Sequence, residues 1–152
     1  MRRTLIHTLF ISISLALLMA SCRKEDDFYT DSNAKLTFSQ ELVSFDTVFT
    51  TISTSTRQLV VHNPYNQKIS IKSIRLANPN SYFSLNVNGE PSNNVTNVEI
   101  DAKDSLFIFI KANINPTNQN NPLLIADSIL FDVNGNVQDV DIIACGQDAH
   151  FI

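Results

Sequence analysis

Few side chains in this sequence have the types and spacing that catalysis demands. A thiol and an imidazole are one route to a nucleophile, and the chain holds two cysteines, Cys22 and Cys145, and three histidines, His7, His62 and His150. A thiolate at neutral pH needs a positioned imidazole or another cation beside it, whereas Cys145 stands in an apolar run and reads as a small buried hydrophobe. Carboxylates are a second route. Asp132, Asp139 and Asp141 cluster on a late hairpin and are weak candidates for a hard cation such as calcium. Three carboxylates on a flat strand surface do not wrap an ion, so they read first as a solvated face. The hydroxyls between Thr47 and Thr56 have no base placed near them, and three glycines in the whole chain leave no phosphate-binding loop. The expectation is a non-enzyme that needs no cofactor.

Charge and hydropathy set the address. Arg2 and Arg3 precede an apolar stretch from Leu5 to Met19, shorter than the about 20 residues of a spanning helix. It reads as an export signal, a helix removed on maturation. Its end falls at Cys22, after which Arg23, Lys24, Glu25, Asp26 and Asp27 form a run that no apolar core accepts. Loss of Arg2 and Arg3 leaves nine basic against 15 acidic residues, a net charge of −6. Nucleic acid is therefore not an expected partner.

Met19-Ala20-Ser21-Cys22 resembles the lipobox of bacterial lipoproteins, with Met19 in place of the commoner leucine. The resemblance implies acylation of Cys22, which would then be the mature first residue and unable to form a disulfide. Lys24-Glu25-Asp26-Asp27 resembles the lipoprotein export signal of Bacteroidetes, which implies an outer-membrane anchor with the protein exposed at the cell surface. The resulting division is a signal peptide over 1–21, a lipidated and disordered charged tether over 22–34, and a folded domain over 35–152.

The elements after the tether read as short strands separated by Asn, Pro and Gly clusters, without a helical period long enough to compete. The domain is expected to be all-β. Leu36 to Phe38 and Val43 to Phe49 open it, followed by Leu59 to Val61 and a turn cluster at His62-Asn63-Pro64-Tyr65-Asn66. Ile69 and Ile71 alternate with polar residues, but Ile74 and Leu76 are one residue out of phase, which predicts a bulge or a change of sheet. Phe83, Leu85 and Val87 form one face, ended by Asn88-Gly89. Leu106 to Ile110 carries apolar residues on both faces and predicts a central strand covered on both sides. In the last hairpin, pairing Phe131 with Val140 and Ile129 with Ile142 brings large apolar residues together over a Gly135-Asn136 turn, and sets Asp132 against Asp139. The strand carrying Cys145 is expected to end with an edge open to strand addition.

Phe45-Asp46-Thr47-Val48-Phe49-Thr50-Thr51, Leu59-Val60-Val61-His62-Asn63-Pro64, Phe131-Asp132-Val133-Asn134-Gly135 and Cys145-Gly146-Gln147-Asp148-Ala149 together resemble the N-terminal Ig-like domain of large Bacteroidetes surface lipoproteins, over Leu36 to Ala149. The likeness implies an Ig-like antiparallel β-sandwich of about seven to nine strands. Relatives of that kind commonly run on into a right-handed β-helix, so this chain is expected to be a stand-alone or truncated version. A more distant likeness is to ASH-type Ig-like domains, which are scaffolds. Asp46-Thr47-Val48, Asp104-Ser105-Leu106 and Asp127-Ser128-Ile129 resemble the O-glycosylation sequon of Bacteroidetes, making Thr47, Ser105 and Ser128 candidate acceptors. Three functions emerge as expectations. The first is a non-catalytic, lipid-anchored structural or interaction module whose one definite partner is the membrane. The second is an adhesin-type module meeting a glycan or protein partner at the cell surface through Tyr65, Tyr82 and Asn-rich loops. The third is an accessory domain of a larger β-helix surface protein.

Overall fold

The computed structural model describes residues 27–49, 56–113 and 123–147. Cys22, Lys24, Glu25 and Asp26, like the signal peptide and His150, lie outside the described residues. Ten strands are present among them: β1 (Thr37–Phe38), β2 (Leu42–Phe49), β3 (Arg57–His62), β4 (Ile69–Leu76), β5 (Phe83–Val87), β6 (Glu90–Pro91), β7 (Asn94–Ile100), β8 (Ser105–Ala112), β9 (Leu123–Val133) and β10 (Asn136–Gln147). They form two five-stranded sheets in the orders β1-β3-β8-β5-β6 and β2-β10-β9-β4-β7. The all-β sandwich results from alternation. In β8, Leu106, Ile108 and Ile110 point inward and are buried, and Phe83, Leu85 and Val87 of β5 join them. The facing sheet contributes Ile129, Phe131 and Val133 from β9 and Val140, Ile142 and Ala144 from β10, so two apolar faces close one core.

The phase slip in β4 is a bulge. Ile71 pairs with Val133, but Ser73 pairs with Asp132, which leaves Lys72 as the extra residue. Burial consequently moves from Ile69 and Ile71 to Ile74 and Leu76. Its neighbour β7 keeps one register with β4 across this level, Ile71 pairing with Val98 and Ser73 with Thr96, and takes up the irregularity at Asn97, whose φ is 56°. Turn chemistry also holds at Asn88-Gly89, with φ of 50° and 95°.

Three expectations are corrected. The last hairpin turns at Asn134-Gly135, whose φ values of 51° and 83° make both central residues left-handed, as a primed two-residue turn requires. Val140 therefore pairs with Ile129 and Gln138 with Phe131, and Asp132 faces Val137 rather than Asp139. The strand β10 is not an edge, because β2 runs parallel along it from Asp141↔Leu42 to Gln147↔Phe49, with an irregularity at Ala144/Cys145. Finally, β8 is central but covered on one side only: Phe107 and Phe109 on its outer face are 42% and 40% exposed.

The stretch 27–34, expected as tether, is docked: Asp27 accepts from Gln67 Nε2 at 2.6 Å and Phe28 forms an isolated parallel bridge with Lys68. Tyr29 N–H donates to the Lys68 carbonyl at 2.8 Å, and its ring stacks on Tyr65 at 3.7 Å. Side-chain amides of the β9–β10 hairpin hold the rest. Asn134 Nδ2 donates to the carbonyls of Tyr29 and Asp31, Asn136 Nδ2 donates to that of Ala34, and Gln138 both accepts from Leu36 N–H at 2.7 Å and donates to its carbonyl at 3.1 Å. Gln138 thus acts as a one-residue ladder for a segment with no strand partner on that side.

Candidate functional site

The uncovered face of the β1-β3-β8-β5-β6 sheet carries a groove of about 580 Å³ at its β5–β8 side. Register fixes its floor. Phe109 of β8 lies between Gln58 of β3 and Asn86 of β5, and Lys111 lies beside Ser84. Thr56, Leu85, Pro91, Ser92 and Asn93 complete the lining, with Gln58 just outside it. The wall stands because Asn93 ties the loop after β6 back to β5: its Oδ1 accepts from Leu85 N–H at 2.9 Å and its Nδ2 donates to the Phe83 carbonyl at 3.4 Å. Asn86 Oδ1 accepts from Gly89 N–H at 2.9 Å, and its Nδ2 has no partner among the described residues. Lys111 is exposed and forms no ion pair among the described residues. The groove therefore joins an aromatic surface, amides, hydroxyls and one ammonium, which is equipment for reversible binding. Sequence reasoning misses these residues; the alternation Phe107, Phe109, Lys111 is the available signal, and by itself it reads as a second buried face.

Further along the same face, His62 Nδ1 and Ser105 Oγ lie 3.1 Å apart as a directly opposed pair of β3 and β8. A nucleophile–base pair needs oxyanion donors, yet Ser105 N–H already donates to Asp104 Oδ1 at 2.7 Å. The contact fastens two strand ends. The adjoining corner is organised by Asn63, fully buried: Nδ2 donates to the carbonyls of Gln67, Ile100 and Asp101, and Oδ1 accepts from Tyr65 N–H.

The other residues singled out by sequence are dispersed. Asp27 is exposed and accepts from Gln67 Nε2 at 2.6 Å. Thr47 pairs with Cys145 across the β2–β10 irregularity. Ser128 Oγ donates to Asp141 Oδ1 at 2.8 Å. Asp139 faces Leu130, Asp141 faces Ser128, and Asp132 has Lys72 Nζ at 3.7 Å, so the three carboxylates are spread along the hairpin. Among the described residues no group of three or more His, Cys, Asp or Glu is placed to hold a metal ion. Cys145 is half-buried rather than part of the core. Tyr65 is committed to Tyr29 and to Lys35, whose N–H it accepts at 2.8 Å, while Tyr82 is exposed. For Tyr29, burial first and the charge of Asp31 second raise the phenol above its ordinary pKa.

No protein-family model matches the chain, and no curated protein is significantly similar to it. Among solved structures it is similar to the CooA pilin subunit of enterotoxigenic Escherichia coli, with 11% identity, a TM-score of 0.51, and coverage of 76% of this chain and 99% of that one. The E. coli chaperone DraB matches at 11% identity and a TM-score of 0.45, over 76% of this chain and 56% of that one. With the two-sheet topology, the pilin likeness establishes the class of fold, an Ig-like β-sandwich.

Proposed function

We propose that this protein is a lipid-anchored module of the outer membrane, exposed at the cell surface, that acts without catalysis as a spacer or interaction domain. The observation that carries the reading is the placement of the two ends of the described chain. The segment after the charged run docks at the pole formed by Lys68, Asn134 and Asn136, whereas β10 starts at that pole and leaves at the other. Twelve residues of β10 span roughly 35–40 Å. An anchor at Cys22 would therefore hold the far pole at least about that distance beyond the docked segment. Acyl chains supply the attachment, each buried methylene contributing about 0.8 kcal/mol.

The test is fractionation of cells carrying Cys22→Ala, with protease shaving of intact wild-type cells. The variant is expected in the soluble fraction and the wild-type protein is expected to be shaved. A variant that stays in the membrane fraction rules out the anchor, and a protected wild type rules out the surface address.

A further inference from the structure

We propose that the groove on the outer face of β8 binds a short oligosaccharide bearing carboxylates, with Phe109 as the platform for a sugar face and Lys111 as the partner of a sugar carboxylate. The site is independent of the anchoring proposed above.

The lining selects the ligand class. Phe109 is 40% exposed in the middle of a sheet, flanked by Gln58 and Asn86, so an apolar plane is edged by amides. That combination matches a sugar ring, whose C–H face is apolar and whose rim carries hydroxyls, with each polar group placed to fix orientation. An extended peptide is recognised chiefly through free backbone groups of a sheet edge. The floor offers none, because β8 is laddered to β3 on one side and β5 on the other. Its donors and acceptors for a ligand are side chains, the amide of Asn86 and the hydroxyls of Thr56 and Ser84, whereas Ser92 Oγ is committed to the backbone of Asn94.

Charge selects the acid. The chain as a whole carries −4, yet the charged side chain in this groove is the ammonium of Lys111, without an ion-pair partner among the described residues. A cation kept in the lining of a groove on an acidic molecule favours a carboxylate ligand through a charge-assisted hydrogen bond. One cation is too few for a polyphosphate backbone, whose binding scales with the number of phosphates neutralised. From Phe107 to Lys111 the exposed stripe runs about 13 Å along the strand, enough for a short oligomer.

The test uses the full chain purified in detergent and titrated calorimetrically with di- to tetragalacturonate, with the neutral galacto-oligosaccharides of the same lengths as comparison. Saturable binding of the uronates is expected, weakened about tenfold or more by Lys111→Gln and lost with Phe109→Ala. Both side chains are exposed, and amide shifts in the wild-type protein that cluster at Ser84, Asn86 and Lys111 give a second readout independent of the variants' folding. Absence of saturable uronate binding overturns the proposal, as do equal affinity for the neutral sugars, binding indifferent to both substitutions, or shifts that cluster elsewhere. An acidic peptide that saturates the groove when the uronates do not overturns it too.

Discussion

Asn63 is the residue on which one corner of the sandwich depends. It is a buried polar group whose amide reaches three carbonyls while its oxygen takes one N–H, so truncation takes this partner from the buried Ile100 carbonyl and from the half-buried Gln67 carbonyl and Tyr65 N–H. Asn63→Ala is expected to cost about 3 kcal/mol or more, since each buried group left unsatisfied costs about 1–3 kcal/mol. Urea unfolding followed by circular dichroism measures this; a midpoint unchanged within error contradicts the network. Tyr29 gives a second residue-scale expectation. Its phenol pKa is raised in the folded state by burial and by Asp31, so the folded protein keeps a proton that the unfolded chain gives up. Stability linked to it is complete below the ordinary tyrosine pKa of about 10 and declines as pH rises above that value. Phenolate absorbance is expected to show one tyrosine titrating late, and Tyr29→Phe is expected to remove that component. Asn63 is legible in the sequence only as part of a turn cluster, because the carbonyls it serves come from Ile100 and Asp101, far along the chain.

At the scale of elements, local signals and long-range ones part company. The bulge in β4 is readable because a phase slip is written in neighbouring residues, and the Asn88-Gly89 turn because positive φ has a residue signature. The last hairpin comes out in the wrong register when apolar pairing is set above turn chemistry. Asn134-Gly135 supplies the two left-handed positions, and the apparent penalty, Gln138 against Phe131, disappears once Leu36 is seen to need both ends of that amide. The parallel pairing of β2 with β10 has no local signature, so from sequence β10 looks like an open edge. Gln138→Leu tests the role of the amide: the hydrogen-bonded groups of Leu36 lose their partner, with an expected cost of about 1–2 kcal/mol. Hydrogen exchange should quicken at the Leu36 amide far more than at Ile108 in the core. Equal protection in both proteins contradicts the one-residue ladder.

For the whole molecule, the consequence of a docked N-terminal segment is a stiff connection between Tyr29 and the far pole, which the proposed anchor would use. A solvated tether as long as 22–34 would let the domain swing, whereas hydrogen bonds to Tyr29, Asp31 and Ala34 and the Tyr29–Tyr65 stack fasten its second half to the domain. The charged composition suggests a tether, but the contacts that capture Asp27 and the residues after it come from Gln67, Lys68 and the β9–β10 hairpin and are invisible in the local sequence. The expected outcome is a defined distance across the domain. With Cys145→Ser as background, spin labels at Ser32→Cys and Leu124→Cys bracket the docked segment and the far end of β9, separated by roughly 30–35 Å from the strand rise. Double electron–electron resonance on the full chain in vesicles is expected to give one narrow distribution at that distance. Combining Asn134→Ala, Asn136→Ala and Gln138→Ala in the same labelled chain is expected to broaden it, because three independent clasps are then gone. A distribution already broad before those substitutions means that the segment swings, and the spacer role proposed above, which needs the far pole held at a set height, would then fail.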